Sequence, residues 1–338
     1  LKAALSDHPR LWFVVDRLRL ERHFSPEFIE MLWEQMALVH SERGVLVFRS
    51  GPDLLVPEAR QLNDVDFDGQ VRLVSTDLEA IETMPGETLD LAFRWQAQVP
   101  LAQDYAVMVH VDDDDGQTLA VADGSALGGL YPMYNWRPGE LILDRRAVTL
   151  PADMPSGRYR LNVGLYQPEI GEHLPVSVDG DLMPQVAAAF FWVGERPVVQ
   201  PPTHPLAANC DGQICLQGYD LEKPSGGTVV APGETVELVL HWGACGPVAG
   251  DYHTFVHLLG PDGQIVAQGD APPLQGQYPT AFWQEGEVLL DRYRVQVPAN
   301  APPGEYLLRV GLYVLATGER LPADSGEDGA QITNLEVR

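Results

Sequence analysis

The rhythm of apolar and polar positions changes at about residue 50. Before it, Leu11 to Val15 form a short apolar run suited to a strand and ending at Asp16. Ser25, Pro26 and Glu27 then supply a hydroxyl N-cap, a proline at the first helical position and an acid in the first turn. Phe28, Met31, Leu32, Gln35 and Met36 follow at helical spacing. Leu38 and Val39 extend the stripe, so the expected helix continues toward Gly44, and Val45 to Phe48 reads as a second strand. Residues 1–52 are therefore expected to be an α/β fragment that completes an upstream domain.

From about residue 60 the period drops to two. Leu89, Leu91, Phe93 and Trp95 alternate with polar or small residues, and Val236, Leu238, Leu240 and Trp242 repeat that face. Tyr105 to Val111 and Tyr252 to Leu258 are apolar on both faces, as a central strand requires. Asp115-Gly116 and Asp262-Gly263 are turn signals. Gly157-Arg158-Tyr159 and Gly304-Glu305-Tyr306 each lead into an apolar strand, a pattern similar to the tyrosine corner of immunoglobulin-like sandwiches.

These correspondences belong to one duplication. Residues 85–175 align with 232–322 at a constant offset of 147 without a gap, and 43 of the 91 pairs are identical. Solenoid units run only about 20–50 residues, so this period means two copies of a whole domain. The fold class expected is mainly β: two tandem immunoglobulin-like antiparallel β-sandwiches behind a short α/β fragment. Copy 1 is placed at 60–196 and copy 2 at 209–338. Pro197, Pro201, Pro202 and Pro205 make 197–208 an expected extended linker.

Charge narrows the partners. The net charge of −26 falls on the repeats, since residues 51–338 carry 15 Lys/Arg against 41 Asp/Glu. Such a surface repels nucleic acid and anionic lipid, which need basic residues to neutralise phosphate. Neutral glycan or cell-envelope material stays compatible, as does plain solubility. No apolar run approaches the length of a membrane span, so membrane association is expected only through an upstream part of a parent chain.

Cys210 and Cys215 flank an Asp211-Gly212 turn signal and form the first candidate disulfide; Cys245 is the alternative partner for either. A disulfide would fit an oxidising compartment. No cysteine and histidine spacing suits a metal, and no cofactor motif is present. The run Asp112 to Asp115 lacks a counterpart in copy 2, and consecutive strand-end carboxylates point apart, so it reads as a solvated hairpin tip and not a calcium loop.

The candidate ligand-binding residues are the repeated polar and aromatic ones: His110, Asp123, Tyr131 and Trp136, with His257, Asp270, Tyr278 and Trp283 as their twins. Tyr and Trp on a loop can stack on the apolar face of a sugar while Asp and His bond its hydroxyls. The same residues can equally build the fold, and duplicated domains share fold-building residues by necessity. Asp104 and Asp144, with Asp251 and Asp291, belong to the same set. No nucleophile elbow, zinc-protease helix or phosphate loop occurs, so no catalytic residue is assigned.

Three stretches carry a family resemblance: Arg10-Leu11-Trp12-Phe13-Val14-Val15-Asp16, Phe24 to Phe28, and Gly44-Val45-Leu46-Val47-Phe48-Arg49. They resemble the tail of the extracytoplasmic domain of bacterial membrane glycosyltransferases that use polyprenyl-phosphate sugars, the dolichyl-phosphate-mannose mannosyltransferase-like class. The twice-repeated Pro-Gly-Glu, Trp, Asp-Tyr, His, Trp-x-x-Gly-Glu and Gly-x-Tyr pattern is similar to the sandwich domains that follow in such proteins. Copy 2 departs from it with Glu285 where the proline is usual. The resemblance implies an extracytoplasmic, non-catalytic region that binds or positions glycan near a transferase; the alternative is a structural spacer or adhesion module that touches no sugar. The family's catalytic acids belong to an early loop that has no match here.

Overall fold

A computed structural model describes residues 10–51, 59–178, 181–222, 227–324 and 328–338. Residues 1–9 and Pro52 of the expected α/β fragment lie outside them. The chain forms two compact units, Leu1–Arg196 and Pro197–Arg338, and is mainly β.

In the first unit, β1 (Trp12–Asp16), β2 (Ala37–Glu42) and β3 (Val45–Arg49) make a small antiparallel sheet in the order β1-β3-β2. Asp16 caps a short helix, Arg17–His23, by accepting the Arg19 amide at 3.2 Å. Ser25 caps the expected helix in the same way, its hydroxyl accepting the Phe28 amide at 3.3 Å. That helix spans Pro26–Gln35 and stops there, so the expected run toward Gly44 is corrected. Arg43 and Gly44 both take positive φ, which makes the primed two-residue turn that folds Ala37–Glu42 back on β3 as a strand. Its backbone groups are then satisfied by the ladder with β3.

The sandwich of this unit uses β4 (Ala59–Phe67), β5 (Val71–Leu78), β6 (Glu82–Thr83), β7 (Thr88–Ala97), β8 (Ala106–Asp112), β9 (Thr118–Val121) and β10 (Gly124–Ser125). It continues with β11 (Leu141–Thr149), β12 (Gly157–Tyr166), β13 (His173–Leu174), β14 (Val176–Val178), β15 (Asp181–Met183) and β16 (Val186–Val193). One sheet runs β11-β7-β5-β4-β14-β15. The other runs β10-β8-β12-β16-β6, with β9 on β8 and β13 on β12. Ladders are antiparallel except the short parallel β16–β6 pair. The alternation of β7 puts Leu89, Leu91, Phe93 and Trp95 inward, where they share a core with Val109, Leu161 and Phe191 of the facing sheet.

The same core extends through the sheet to the helices. Leu32, Trp33 and Met36 are fully buried, and the Trp33 ring lies 5.0 Å from Phe48 and 6.4 Å from Tyr131. Burying each such side chain is worth about 1.5–3 kcal/mol. Arg145 on β11 then donates to the carbonyls of Trp33, Glu34 and Met36 at 3.0–3.2 Å, capping the helix C-terminus with a cation that suits its dipole. Burial, and secondarily the nearby Arg94 charge, lower the Arg145 pKa to about 10, which leaves it charged at neutral pH.

The second unit consists of β17 (His204–Cys210), β18 (Ile214–Glu222), β19 (Val229–Val230), β20 (Thr235–Ala244), β21 (His253–Leu259), β22 (Ile265–Gln268), β23 (Val288–Gln296), β24 (Gly304–Tyr313) and β25 (Ala330–Val337). Its sheets are β17-β18-β20-β23 and β19-β25-β24-β21-β22. The bounds of β20, β21, β22, β23 and β24 each fall 147 residues after those of β7, β8, β9, β11 and β12. In both units the tyrosine hydroxyl at the strand entry bonds a carbonyl four residues upstream, Tyr159 to Pro155 at 2.8 Å and Tyr306 to Pro302 at 2.9 Å.

Two expectations are corrected here. The linker does not reach residue 208, because β17 begins at His204 and pairs with β18 across a bulge between Pro205 and Ala208. An edge strand tolerates that proline. The disulfide joins Cys215 to Cys245, with Cα atoms 5.9 Å apart, and Cys210 is a buried free thiol. Cys210 pairs with Ile214 across the hairpin and shares its inner face, so Cys215, the next residue, points to the opposite face. A Cys210–Cys215 bond is therefore excluded by the pleat.

Candidate functional site

The repeated candidates converge, in each unit, on the segment between the β8- and β11-type strands. In the first, Leu127, Gly128 and Gly129 take positive φ; in the second, Leu274, Gln275 and Gly276 do the same. Asp144 accepts the Leu127 amide at 2.8 Å and Asp291 the Leu274 amide at 3.0 Å, which pins this left-handed turn. Asp104 and Asp251 accept the amides of Met133 and Thr280. Asp123 and Asp270 accept those of Val109 and Val256.

The aromatic residues finish the same loop. The indole nitrogens of Trp136 and Trp283 donate to the carbonyls of Tyr131 and Tyr278, both at 3.0 Å. The two tyrosine hydroxyls donate to Asn135 and Phe282 carbonyls and to the carboxylates of Glu140 and Glu287. Trp136 is 2% exposed and Trp283 5%, and both tyrosines are equally buried. A buried ring offers no face to a sugar, so the stacking platform expected at Tyr131, Trp136, Tyr278 and Trp283 is not available. The histidines close onto the same aspartates, His110 at 3.5 Å from Asp123 and His257 at 3.4 Å from Asp270, with His257 also packed on Phe255. These residues come together as expected, but as a loop-building cluster.

At the hairpin tip, Asp113 accepts the amides of Asp115 and Gln117, and buried Asp112 bonds Thr118 and Asn162. Among the described residues no cluster of three metal-ligating side chains occurs.

A cleft of about 650 Å³ lies elsewhere in the first unit, between the helices and the outer face of the β11-β7-β5-β4 sheet. Its floor is Arg94, whose guanidinium meets Asp77 at 2.7 Å, Ser75 at 3.3 Å and Glu34 of the helix at 3.5 Å. Arg60 holds the other Asp77 oxygen at 2.8 Å. Arg72 pairs with Asp64 at 3.1 Å near the rim. Arg94 and Asp77 are almost wholly buried, while Arg60, Arg72, Glu34 and Asp64 reach solvent.

No motif or periodicity marks this group, because Arg94 occupies an outward position of an alternating strand. Its counterpart is recognisable only in register. Arg94 stands opposite Ser75 as His241 stands opposite Gly218, so Asp220 corresponds to Asp77. His241 indeed meets Asp220 at 2.7 Å. Burial works to raise the Asp220 pKa, but the Thr203 amide, the His241 ring and the Thr203 hydroxyl outweigh it and hold the carboxyl at about 2.

The fold is thus that of a mainly β protein with duplicated sandwich-type units, and the cleft beside the helices is arginine-rich. No protein-family model matches the chain, and no curated protein matches it.

Proposed function

We propose that this chain is a non-catalytic structural region, a rigid spacer carrying the α/β segment on a sandwich, from the extracytoplasmic side of a membrane glycosyltransferase of the class it resembles. The observation that carries this reading is the internal use of every repeated chemical residue. Each duplicated Trp, Tyr, Asp and His named above is bonded within its own unit, as residues that build a fold are. The Cys215–Cys245 bond supports an oxidising compartment, where disulfides persist.

The test is a glycan array and indole fluorescence titration on the 338-residue chain, with Trp136→Phe and Trp283→Phe beside the wild type. A structural role gives no neutral-glycan binding that depends on either indole, and lower melting temperatures for both variants. Saturable binding lost in a folded Trp283→Phe protein would restore the glycan-stacking reading. Recovery of the protein with reduced Cys215 and Cys245 from its native source would contradict the extracytoplasmic placement.

A further inference from the structure

The arginine cleft goes beyond that structural role. Four guanidinium groups lie on neighbouring strands of one sheet face: Arg145 on β11, Arg94 on β7, Arg72 on β5 and Arg60 on β4. Asp77 is the buried carboxylate among them, and it is shared by Arg60 and Arg94. The carboxylates of Glu34 and Asp64 stand at the edge, 34% and 77% exposed, where they pair with Arg94 and Arg72. Arg145 alone bonds the helix C-terminus, and Glu34 is the helix partner of Arg94. Arg60 and Arg72 take their carboxylates, Asp77 and Asp64, from the sheet itself. Pinning the helices therefore does not explain them.

The cleft is lined by Arg17, Arg60, Arg72, Arg94 and Arg137 and by the acids Glu30, Glu34, Asp64 and Glu140, so its arginines are held ready by carboxylates that an anionic ligand can replace. Guanidinium forks suit a planar carboxylate or a phosphate better than any other side chain does. Gln96, Ser75 and Glu34 add acceptors and donors along the same wall, while Leu20 and Ile29 supply apolar contact. A volume of about 650 Å³ is within the ordinary range of small-molecule sites and fits a ligand of about disaccharide size.

We infer that this cleft binds a small polyhydroxylated anion, its carboxylate or phosphate seated on Arg60, Arg72 and Arg94 and its hydroxyls on Gln96 and Glu34. The anion takes the places that Glu34 and Asp64 occupy on Arg94 and Arg72, while Asp77 stays bound beneath. Binding here is independent of Trp136 and Trp283, so its failure and that of the structural reading are separable.

The experiment is calorimetric titration of the whole chain with glucuronate, glucose 6-phosphate and, as neutral control, glucose. The expected result is saturable binding of at least one anion, about tenfold or more tighter than glucose, with the better of the two distinguishing carboxylate from phosphate as the source. Arg72→Gln and Arg60→Gln each weaken it about tenfold, the loss typical of one charge-assisted contact. Arg158→Gln, on the other sheet, leaves it unchanged. Arg72 is 40% exposed and its partner Asp64 more so, which makes Arg72→Gln the variant that keeps the fold. Should circular dichroism show either variant unfolded, amide shift mapping of the wild type with the same anions decides, by perturbation at residues 60, 72 and 94 or elsewhere. No saturable binding of either anion, equal affinity for glucose and both anions, wild-type affinity in the two variants, or shifts confined elsewhere overturns the inference.

Discussion

Asp291 accepts the hydroxyl proton of Tyr293 two residues along the same strand, in the place where Asp144 is met by Arg146 at 2.8 Å. Both aspartates pin the same left-handed turn and both are buried. Only the first has a cation to balance it. Burial raises the Asp291 pKa to about 6, against the opposing bonds from Tyr293, Leu274 and Arg292.

The pH dependence follows from that value. Below the ordinary aspartate range, Asp291 is protonated in the folded and unfolded chain alike, and its burial costs nothing extra. As pH rises toward 6 the unfolded chain ionises first, so the second unit loses stability, on the order of 2–3 kcal/mol once pH passes the folded pKa. Asp291→Asn removes this dependence and keeps an oxygen for the Leu274 amide. Denaturant titrations of both proteins at pH 4 and pH 8 check it; equal pH slopes for wild type and variant would sink the idea.

Asp77→Asn leaves two guanidinium groups without their shared carboxylate. Loss of one partner from a buried ion pair costs about 3–5 kcal/mol. Calorimetric unfolding should show a melting temperature lowered for the first unit. Asp220→Asn, at a position more than a quarter exposed, should cost less. An Asp77→Asn protein as stable as wild type would mean that the cleft is already compensated by solvent.

Cys215 and Cys245 close a loop with a sequence separation of 30. Loop-closure entropy puts the bond at about 3–4 kcal/mol, lost in Cys245→Ser or in reductant. Cys210 takes no part. Its thiol is pushed up to about 11, by burial first and the Asp324 charge second, and it should resist alkylation in the folded protein. Mass spectrometry after labelling with and without reductant reads both; rapid native labelling of Cys210 would contradict the burial.

Gln275 holds a φ of 57° where the first copy has Gly128. A side chain in that region is strained by about 1 kcal/mol, and glycine returns part of it as unfolded-chain entropy. Gln275→Gly should therefore be neutral to stabilising by up to about 1 kcal/mol, while Gly128→Gln destabilises the first unit. Thermal melts of the pair decide, and a destabilised Gln275→Gly would show that the Gln275 side chain makes a contact worth more than the strain.

What was legible in the chain was what depends on period and local chemistry. The inward set Leu89, Leu91, Phe93 and Trp95, the Ser25 cap and the duplication all came through at the expected positions. What depended on strand register did not. Asp77 matches Asp220 at an offset of 143, four short of the main repeat, because the β4–β5 and β17–β18 hairpins precede the gapless stretch. The cysteine pairing likewise rests on which face each residue takes, and a turn signal between Cys210 and Cys215 says nothing of that. Trp136 and Trp283 looked like platforms because a tryptophan among loop residues is ambiguous until its surroundings are known.

Arg94 is a charged side chain on the outer face of a sheet, yet it is only 6% exposed, because the helices roof it. That makes the first unit indivisible in a way the repeat boundaries conceal. A cut near residue 60, made to isolate one tidy copy, would strip off the roof, leave Tyr131 without Trp33, and release Arg145 from the helix end. The smallest piece worth expressing on that side starts before Leu11, whereas the second copy can be cut out at its own strand ends.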